Sequence, residues 1–122
     1  MSWSFSNDKP IFQQLEERIV LEIISGRYEP GSKLEPVREL AMTAGVNPNT
    51  MQRALADIEN TGIIYTKRGD GRYITENAEI INEIRNRYVL KKTEDFIASV
   101  KALGLDEDGI VKAVREALEQ GG

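Results

Sequence analysis

Between Pro10 and Ile58 the apolar residues of this chain recur every three or four positions, in three separate runs. Phe12, Leu15, Ile19 and Ile23 form the first run. They predict a helix from about Lys9 to Ser25, with Asp8 as its cap, Pro10 in the first turn and Gly26 at its end. The link that follows carries Pro30 and Gly31, a turn that leads Leu34 into a short strand or directly into a second helix. That helix spans about Pro36 to Ala44, with Val37, Leu40, Ala41 and Ala44 as its buried stripe. Gly45 stands where a left-handed C-terminal residue is wanted.

The third run has the most sharply specified start. Asn47 is a good N-cap, because its side-chain oxygen can accept from a free backbone N–H of the first turn. Pro48 then falls at the first helical position, where a missing N–H costs nothing. Val46 and Met51 have the spacing of a hydrophobic staple. Met51, Ala54, Leu55 and Ile58 share one face, while Asn49, Gln52, Arg53 and Ala56 share the other. Two short helices joined by a tight turn match a helix-turn-helix.

After Gly62 the period changes. Ile63 to Thr66 and Arg72 to Thr75 are short β-prone runs, and Lys67, Arg68, Gly69, Asp70 and Gly71 form the tip between them, with Asp70-Gly71 as a turn pair. A basic hairpin directly behind a helix-turn-helix reads as a wing. Its glycines let the backbone approach another surface closely, and Lys67, Arg68 and Arg72 can meet phosphates or a minor groove.

From Asn77 the pattern is helical again. Ile81, Ile84, Tyr88, Phe96, Val100 and Leu103 recur at helical intervals up to Gly104. Asp106 opens a last helix with acids in its first turn, where the macrodipole favours them, and Ile110, Val111, Val114, Ala117 and Leu118 form its apolar side. These two helices expose more apolar surface than a helical hairpin buries internally, so we expect homodimerisation through Ile81, Ile84, Tyr88, Phe96, Val100, Leu103, Ile110, Val114 and Leu118. The competing arrangement folds the pair back on the first domain. The expected fold is mostly α with a small β-hairpin: a winged helix-turn-helix over residues 1–76, then a two-helix C-terminal dimerisation segment over 77–122.

Composition narrows the chemistry. The 122 residues suffice for one small domain and an appendage. Cysteine and histidine are both absent, which excludes disulfides, Cys/His metal sites, thiol nucleophiles and histidine proton shuttles. No nucleophile–base pair or convergent carboxylate site emerges, so an enzyme, a metal site and a cofactor are not expected. Asp106, Glu107 and Asp108 suggest a cation site at first sight, but acids opening a helix explain them more simply. No apolar run approaches the ~20 residues that span a bilayer, and the first residues lack a signal-peptide pattern; a cytoplasmic protein without membrane contact is expected. The residues before Asp8 read as an arm whose Trp3 and Phe5 pack on a core or a partner.

The net charge of −4 works against binding a polyanion. Its distribution matters more than its sum. Up to Thr75 there are nine basic and ten acidic residues, and seven against ten thereafter. Arg38, Arg53, Lys67, Arg68 and Arg72 all lie on the proposed binding elements, while acids gather in the first helix at Glu16, Glu17 and Glu22. Local charge thus permits DNA binding with modest non-specific affinity, and a dimer would double the cationic footprint. Side-chain amides suit adenine edges and arginine suits guanine, so the face with Asn49, Gln52 and Arg53 can read a major groove.

The residues also resemble a known family. The matching positions are P-I-F-x-Q-L at Pro10 to Leu15, Ile19, Ile23, the glycine pair Gly26 and Gly31, Leu34, and V-R-E-L-A at Val37 to Ala41. They continue through V-N-P-N-T-M-x-R-A-L, Ile58-Glu59, G-I-I at Gly62 to Ile64, and R-G-x-G-x-Y-I at Arg68 to Ile74. Over residues 10–75 the chain resembles the GntR family of bacterial transcription regulators, and its short tail with N-P-N-T is similar to the YtrA-type subfamily, which dimerises through such a tail and lacks a large effector domain. The resemblance implies that Arg38 contacts DNA from the second helix, that Asn49, Thr50 and Arg53 are recognition-helix positions, and that Gly69 and Gly71 are wing glycines entering the minor groove. Read from the residues alone, Arg38 could instead pair with Glu35, and Thr50 could serve only the helix start. Two departures stand out. Leu34-Glu35-Pro36 replaces the family's L-P-S, so a capping, phosphate-binding serine gives way to an acid that does neither well. Gln52 stands where many relatives carry a cation.

The expected function is that of a sequence-specific transcriptional regulator, a repressor that binds an inverted-repeat operator in double-stranded DNA as a homodimer. The competing class is a winged-helix module that binds a protein without binding DNA. No constellation of residues identifies a small-molecule effector.

Overall fold

The computed structural model describes residues 3–121; Gly122 and, from the expected arm, Met1 and Ser2 lie outside the described residues. α1 (Ile11–Ile24) buries Leu15, Ile19, Val20, Ile23 and Ile24. It starts later than the sequence suggests, and Asp8 is not its cap. Pro10 holds that position without a side-chain hydrogen bond, while the Asp8 carboxylate accepts the Ser6 hydroxyl instead. That hydrogen bond, first among the causes, holds the Asp8 carboxyl below its ordinary value. The arm lies along α1 through Gln14, whose side chain donates to the carbonyls of Ser6 and Lys9. Trp3 donates its backbone N–H to the Ala44 carbonyl and places its ring beneath the Arg18 guanidinium.

α2 (Val37–Ala44) ends as its glycine requires. Gly45 takes φ 75° and ψ 36°, its N–H reaches the Met42 carbonyl, and the Val46 N–H reaches the Ala41 carbonyl. This pair of bonds is the Schellman closure of a helix. α3 (Pro48–Glu59) begins two residues later, and the Asn47 side chain accepts the Asn49 N–H at 2.7 Å. The whole expected stripe of α3 is sealed: Met51, Ala54 and Leu55 are 0% exposed and Ile58 2%. α1 and α2 both pack on this face.

β1 (Ile64–Lys67) and β2 (Gly71–Ile74) form an antiparallel hairpin with Ile64 opposite Ile74, Tyr65 opposite Tyr73, Thr66 opposite Arg72 and Lys67 opposite Gly71. The tip is therefore Arg68, Gly69 and Asp70. The left-handed residue is Gly69 at φ 78°, while Gly71, expected in the turn, begins β2. The link before α2 supplies a partial third strand. Ile74 donates to the Ser32 carbonyl, and Gly31 and Leu34 donate to Ile74 and Arg72. Ile63, Ile64 and Ile74 anchor the hairpin in the core at 0–1% exposure.

α4 (Ala78–Lys101) starts at Asn77, whose side chain accepts the Glu79 N–H. Gly104, at φ 96°, precedes α5 (Glu107–Gly121). Asp106 accepts the Gly109 N–H at 2.9 Å, which makes it a helix cap. The chain divides into two compact units, Met1–Ile84 and Arg85–Gly122. Ile81 and Ile84 fall in the first unit and are buried. In the second, Ile110 is buried, Tyr88 and Val100 are half-buried, and Phe96, Leu103, Val114 and Leu118 are exposed. Val89, Leu90, Leu105 and Val111 are exposed as well. No helix among the described residues is long and apolar enough to cross a membrane.

The capping geometry gives a first test. Asn47→Ala should destabilise the protein by about 1 kcal/mol in equilibrium urea unfolding, while Asn47→Asp, which retains the acceptor, should stay within a few tenths of wild type. Equal losses for the two variants would remove Asn47 from that role.

Candidate nucleic-acid interface

Burial of Met51, Ala54, Leu55 and Ile58 turns the opposite side of α3 outward, and Asn49, Gln52, Arg53 and Ala56 are all exposed there. Thr50 is half-buried at the helix start. Arg53 reaches α1: its guanidinium carbon lies 3.7 Å from the centre of the Phe12 ring. One turn further along the same seam, Glu16 meets Asp57. Burial, followed by the Asp57 charge, raises the Glu16 carboxyl above its ordinary value.

On α2, Arg38 is exposed. It does not pair with Glu35, whose carboxylate accepts the Tyr28 hydroxyl at 2.7 Å. Burial and then that carboxylate push the Tyr28 phenol well above the usual tyrosine range. Glu35 does not cap α2 either; Pro36 holds that position with no side-chain bond.

The wing has two distinct faces. Toward α3, Glu59 accepts from both Thr66 (2.5 Å) and Arg72 (2.7 Å). Thr66 and Arg72 sit opposite each other in the hairpin, so a single carboxylate of α3 grips both strands. The Thr66 hydroxyl, with Arg72 assisting, holds the Glu59 carboxyl below its ordinary value. On the other face Tyr65 and Tyr73 stack with ring centres 6.0 Å apart. Asp70 accepts from the Tyr73 hydroxyl and from Lys33, which lowers its pKa and raises that of Lys33. Lys67 rests 4.0 Å from the centre of the Tyr73 ring. Arg68 projects from the tip, next to Gly69.

The expected site residues thus gather on one unit, but with unequal freedom. Arg38 and Arg68 are exposed, with no hydrogen bond or ion pair among the described residues. Arg72 is committed to Glu59, and Lys67 to an aromatic face. Sequence reasoning missed Lys33, Phe12, Glu59 and Tyr73. Lys33 joins the wing because residues 31–34 run beside β2, and the alternation Ser32-Lys33-Leu34 after Pro-Gly is the one local hint of it. Nothing local links Phe12 to Arg53; that contact exists only once α1 and α3 pack.

A helix-turn-helix carrying an exposed polar edge and followed by a wing defines a winged-helix DNA-binding protein. The chain belongs to the GntR family of bacterial regulatory proteins, which it matches over residues 11–74. It is 36% identical over 121 residues to the uncharacterized HTH-type transcriptional regulator YhcF of Bacillus subtilis (strain 168), covering 99% of this chain and 100% of that protein. It is 44% identical over 108 residues to the HTH-type transcriptional repressor YtrA of the same organism, covering 88% of this chain and 83% of YtrA. Among solved structures, a GntR family transcriptional regulator from Listeria monocytogenes superposes with a TM-score of 0.85 at 44% identity, over 92% of this chain and 98% of that one. These relatives are transcriptional regulators, not enzymes, and this chain is a GntR-family transcriptional regulator.

The Glu59 brace makes a pH-dependent prediction. A carboxyl whose pKa is depressed by folding adds stability above its ordinary value, 4.5, and loses it as pH falls through the lower folded value. Wild type should therefore be more stable than Glu59→Gln at neutral pH, with the gap closing below about pH 4.5 in thermal unfolding scans. A gap that stays constant down to pH 3 would assign the brace no ionic character.

Proposed function

We propose that two copies of this regulator bind an inverted-repeat operator in double-stranded DNA and repress transcription by occupying a promoter in the cytoplasm. Residues 1–76 act as the reader and 77–122 as the dimerisation segment. The observation that carries the reading is the two-sided character of α3, with four sealed apolar residues behind an exposed edge of Asn49, Gln52 and Arg53. An amide-and-guanidinium edge of that kind fits the donor and acceptor pattern of a major groove. Arg53 reads a base, with Asn49, Gln52 and Thr50 beside it. Arg38 and Arg68 supply phosphate contacts, Gly69 and Gly71 let the wing backbone approach the minor groove, and Lys67 and Arg72 contribute charge while holding the wing's shape.

Dimerisation is supported by the apolar surface left on the second unit, where Leu103 is 81% and Leu118 69% exposed. Phe96, Val114 and Val111 extend that surface, whereas Ile81, Ile84 and Ile110 are already buried and have little area to offer a second copy. A two-fold dimer places its readers about one helical turn apart on DNA, which implies a palindromic site. Repression is supported by the similarity to YtrA, a repressor by name.

Selection of bound sequences from a random duplex pool tests the whole reading. It should return an inverted repeat, and recovery of no common sequence would overturn it. On that site Arg53→Ala should cost about 1–3 kcal/mol and relax preference at one base pair per half-site. Replacing both Arg38 and Arg68 with alanine should weaken binding to all duplexes alike and flatten the salt dependence of the affinity. Leu103→Asp with Leu118→Asp should shift the protein from dimer to monomer in sedimentation analysis and lower operator affinity; an unchanged mass would place the dimer contact elsewhere.

A further inference from the structure

Arg53 lies on α3, but the surface beneath its guanidinium comes from α1. With the guanidinium carbon 3.7 Å from the centre of the Phe12 ring, a nitrogen aimed at the ring would enter its van der Waals surface. That distance excludes an end-on approach and fits a guanidinium stacked on the ring face. The N–H donors of arginine lie in the guanidinium plane, so stacking leaves them directed sideways, in the orientation that a guanine edge accepts as a pair. The alternative resting place is close by. Glu16 follows Phe12 by one turn of α1 and Asp57 follows Arg53 by one turn of α3, and Arg53 is near enough to act electrostatically on the Glu16 carboxyl. No hydrogen bond or ion pair of Arg53 is formed among the described residues, although two carboxylates stand within a turn of it.

We propose that Phe12 is a positioning residue for base readout: its ring is a shelf that holds the Arg53 guanidinium flat and away from the Glu16–Asp57 pair, ready for a base edge. The inference rests on Arg53 being the base-reading residue, as proposed above. Phe12 touches no base in this scheme; it narrows the orientations of a side chain that has many. Its ring is half-buried, so leucine preserves most of the apolar cover while removing the flat face.

The test uses the full chain, the duplex recovered by selection, and single-base-pair variants of that duplex. Phe12→Leu should lose about two- to fivefold discrimination at the base pair that Arg53→Ala relaxes, the factor that an exposed cation–π contact supplies. Its affinity for an unrelated duplex should not change. Phe12→Tyr should retain the discrimination, and Phe12→Leu with Arg53→Ala should lose no more than Arg53→Ala alone. Wild-type discrimination in Phe12→Leu overturns the shelf, as does an equal loss on every duplex, which marks a structural role only. A free-protein measurement keeps the two layers apart. Ring-current displacement of the Arg53 side-chain proton resonances should be present in wild type and Phe12→Tyr and absent in Phe12→Leu. Its absence from wild type overturns the stacking. If it is present while Arg53→Ala discriminates as wild type does, the base-reading role of Arg53 fails instead and the proposal falls with it.

Discussion

The sealing of Met51, Ala54, Leu55 and Ile58 against α1 and α2 is the constraint on which the remaining geometry depends. A helix with four fully buried positions at helical spacing has no freedom to rotate about its axis, so the azimuth of Asn49, Gln52 and Arg53 is set by residues that contact no ligand. Ala54 matters as much as the larger residues. Its single methyl sits at 0% exposure, and a bulkier residue there would overpack the helix contacts that face it. The axial position is set separately, by the paired carbonyl closures at Gly45 and the Asn47 cap, which together leave α3 one place to start.

The wing is held by the same economy of charge that limits it. Glu59 binds both strands through Thr66 and Arg72, and Asp70 is bound by Lys33 and Tyr73. All four contacts order the hairpin, and the two ion pairs, Arg72–Glu59 and Lys33–Asp70, also withdraw cations from the pool available to phosphates. The exposed ones contribute little stability in high dielectric. Their consequence is geometric: a short hairpin with a two-tyrosine outer face keeps its tip, Arg68 and Gly69, in a defined place. Non-specific affinity scales with the number of phosphates neutralised, so under the proposed function a single reader in a chain of net charge −4 is expected to bind DNA only modestly, and pairing two readers on one site would raise the affinity.

Most of this was legible in the sequence, because the elements are specified locally. The helix stripes, the Asn47 cap, the Gly45 terminator, the two strands and the Asn77 and Asp106 starts each depend on residues within a few positions of one another. What was not legible depends on packing. Asp8 reads as a cap, but Ser6 competes for its carboxylate and Pro10 takes the position. The sequence places Asp70-Gly71 as the turn pair of a tip running from Lys67 to Gly71, whereas Lys67 and Gly71 pair as strand residues, Asp70 is bound by Lys33 and Tyr73, and Gly69 is left-handed at the tip. Phe12 has the spacing of a core residue but is only half-buried, and its ring meets a guanidinium 41 positions away. No periodicity encodes a contact between helices that are not neighbours in the chain.

Glu35 shows how an unfavourable charge can be tolerated at such a surface. An acid at this position would be expected to capture the nearest cation, and Arg38 is three residues away in the first turn of α2. The Tyr28 hydroxyl occupies the carboxylate first, as a neutral donor fixed by its own partial burial. A neutral partner satisfies the oxygen without consuming a positive charge. Arg38, exposed, makes no hydrogen bond or ion pair among the described residues. The cleft between the start of α2 and the wing, lined by Glu35, Pro36, Lys33 and Arg72, thus carries both signs of charge. Under the proposed function, such a rim would repel a phosphate from one side and admit it from the other, which would favour orientation over affinity.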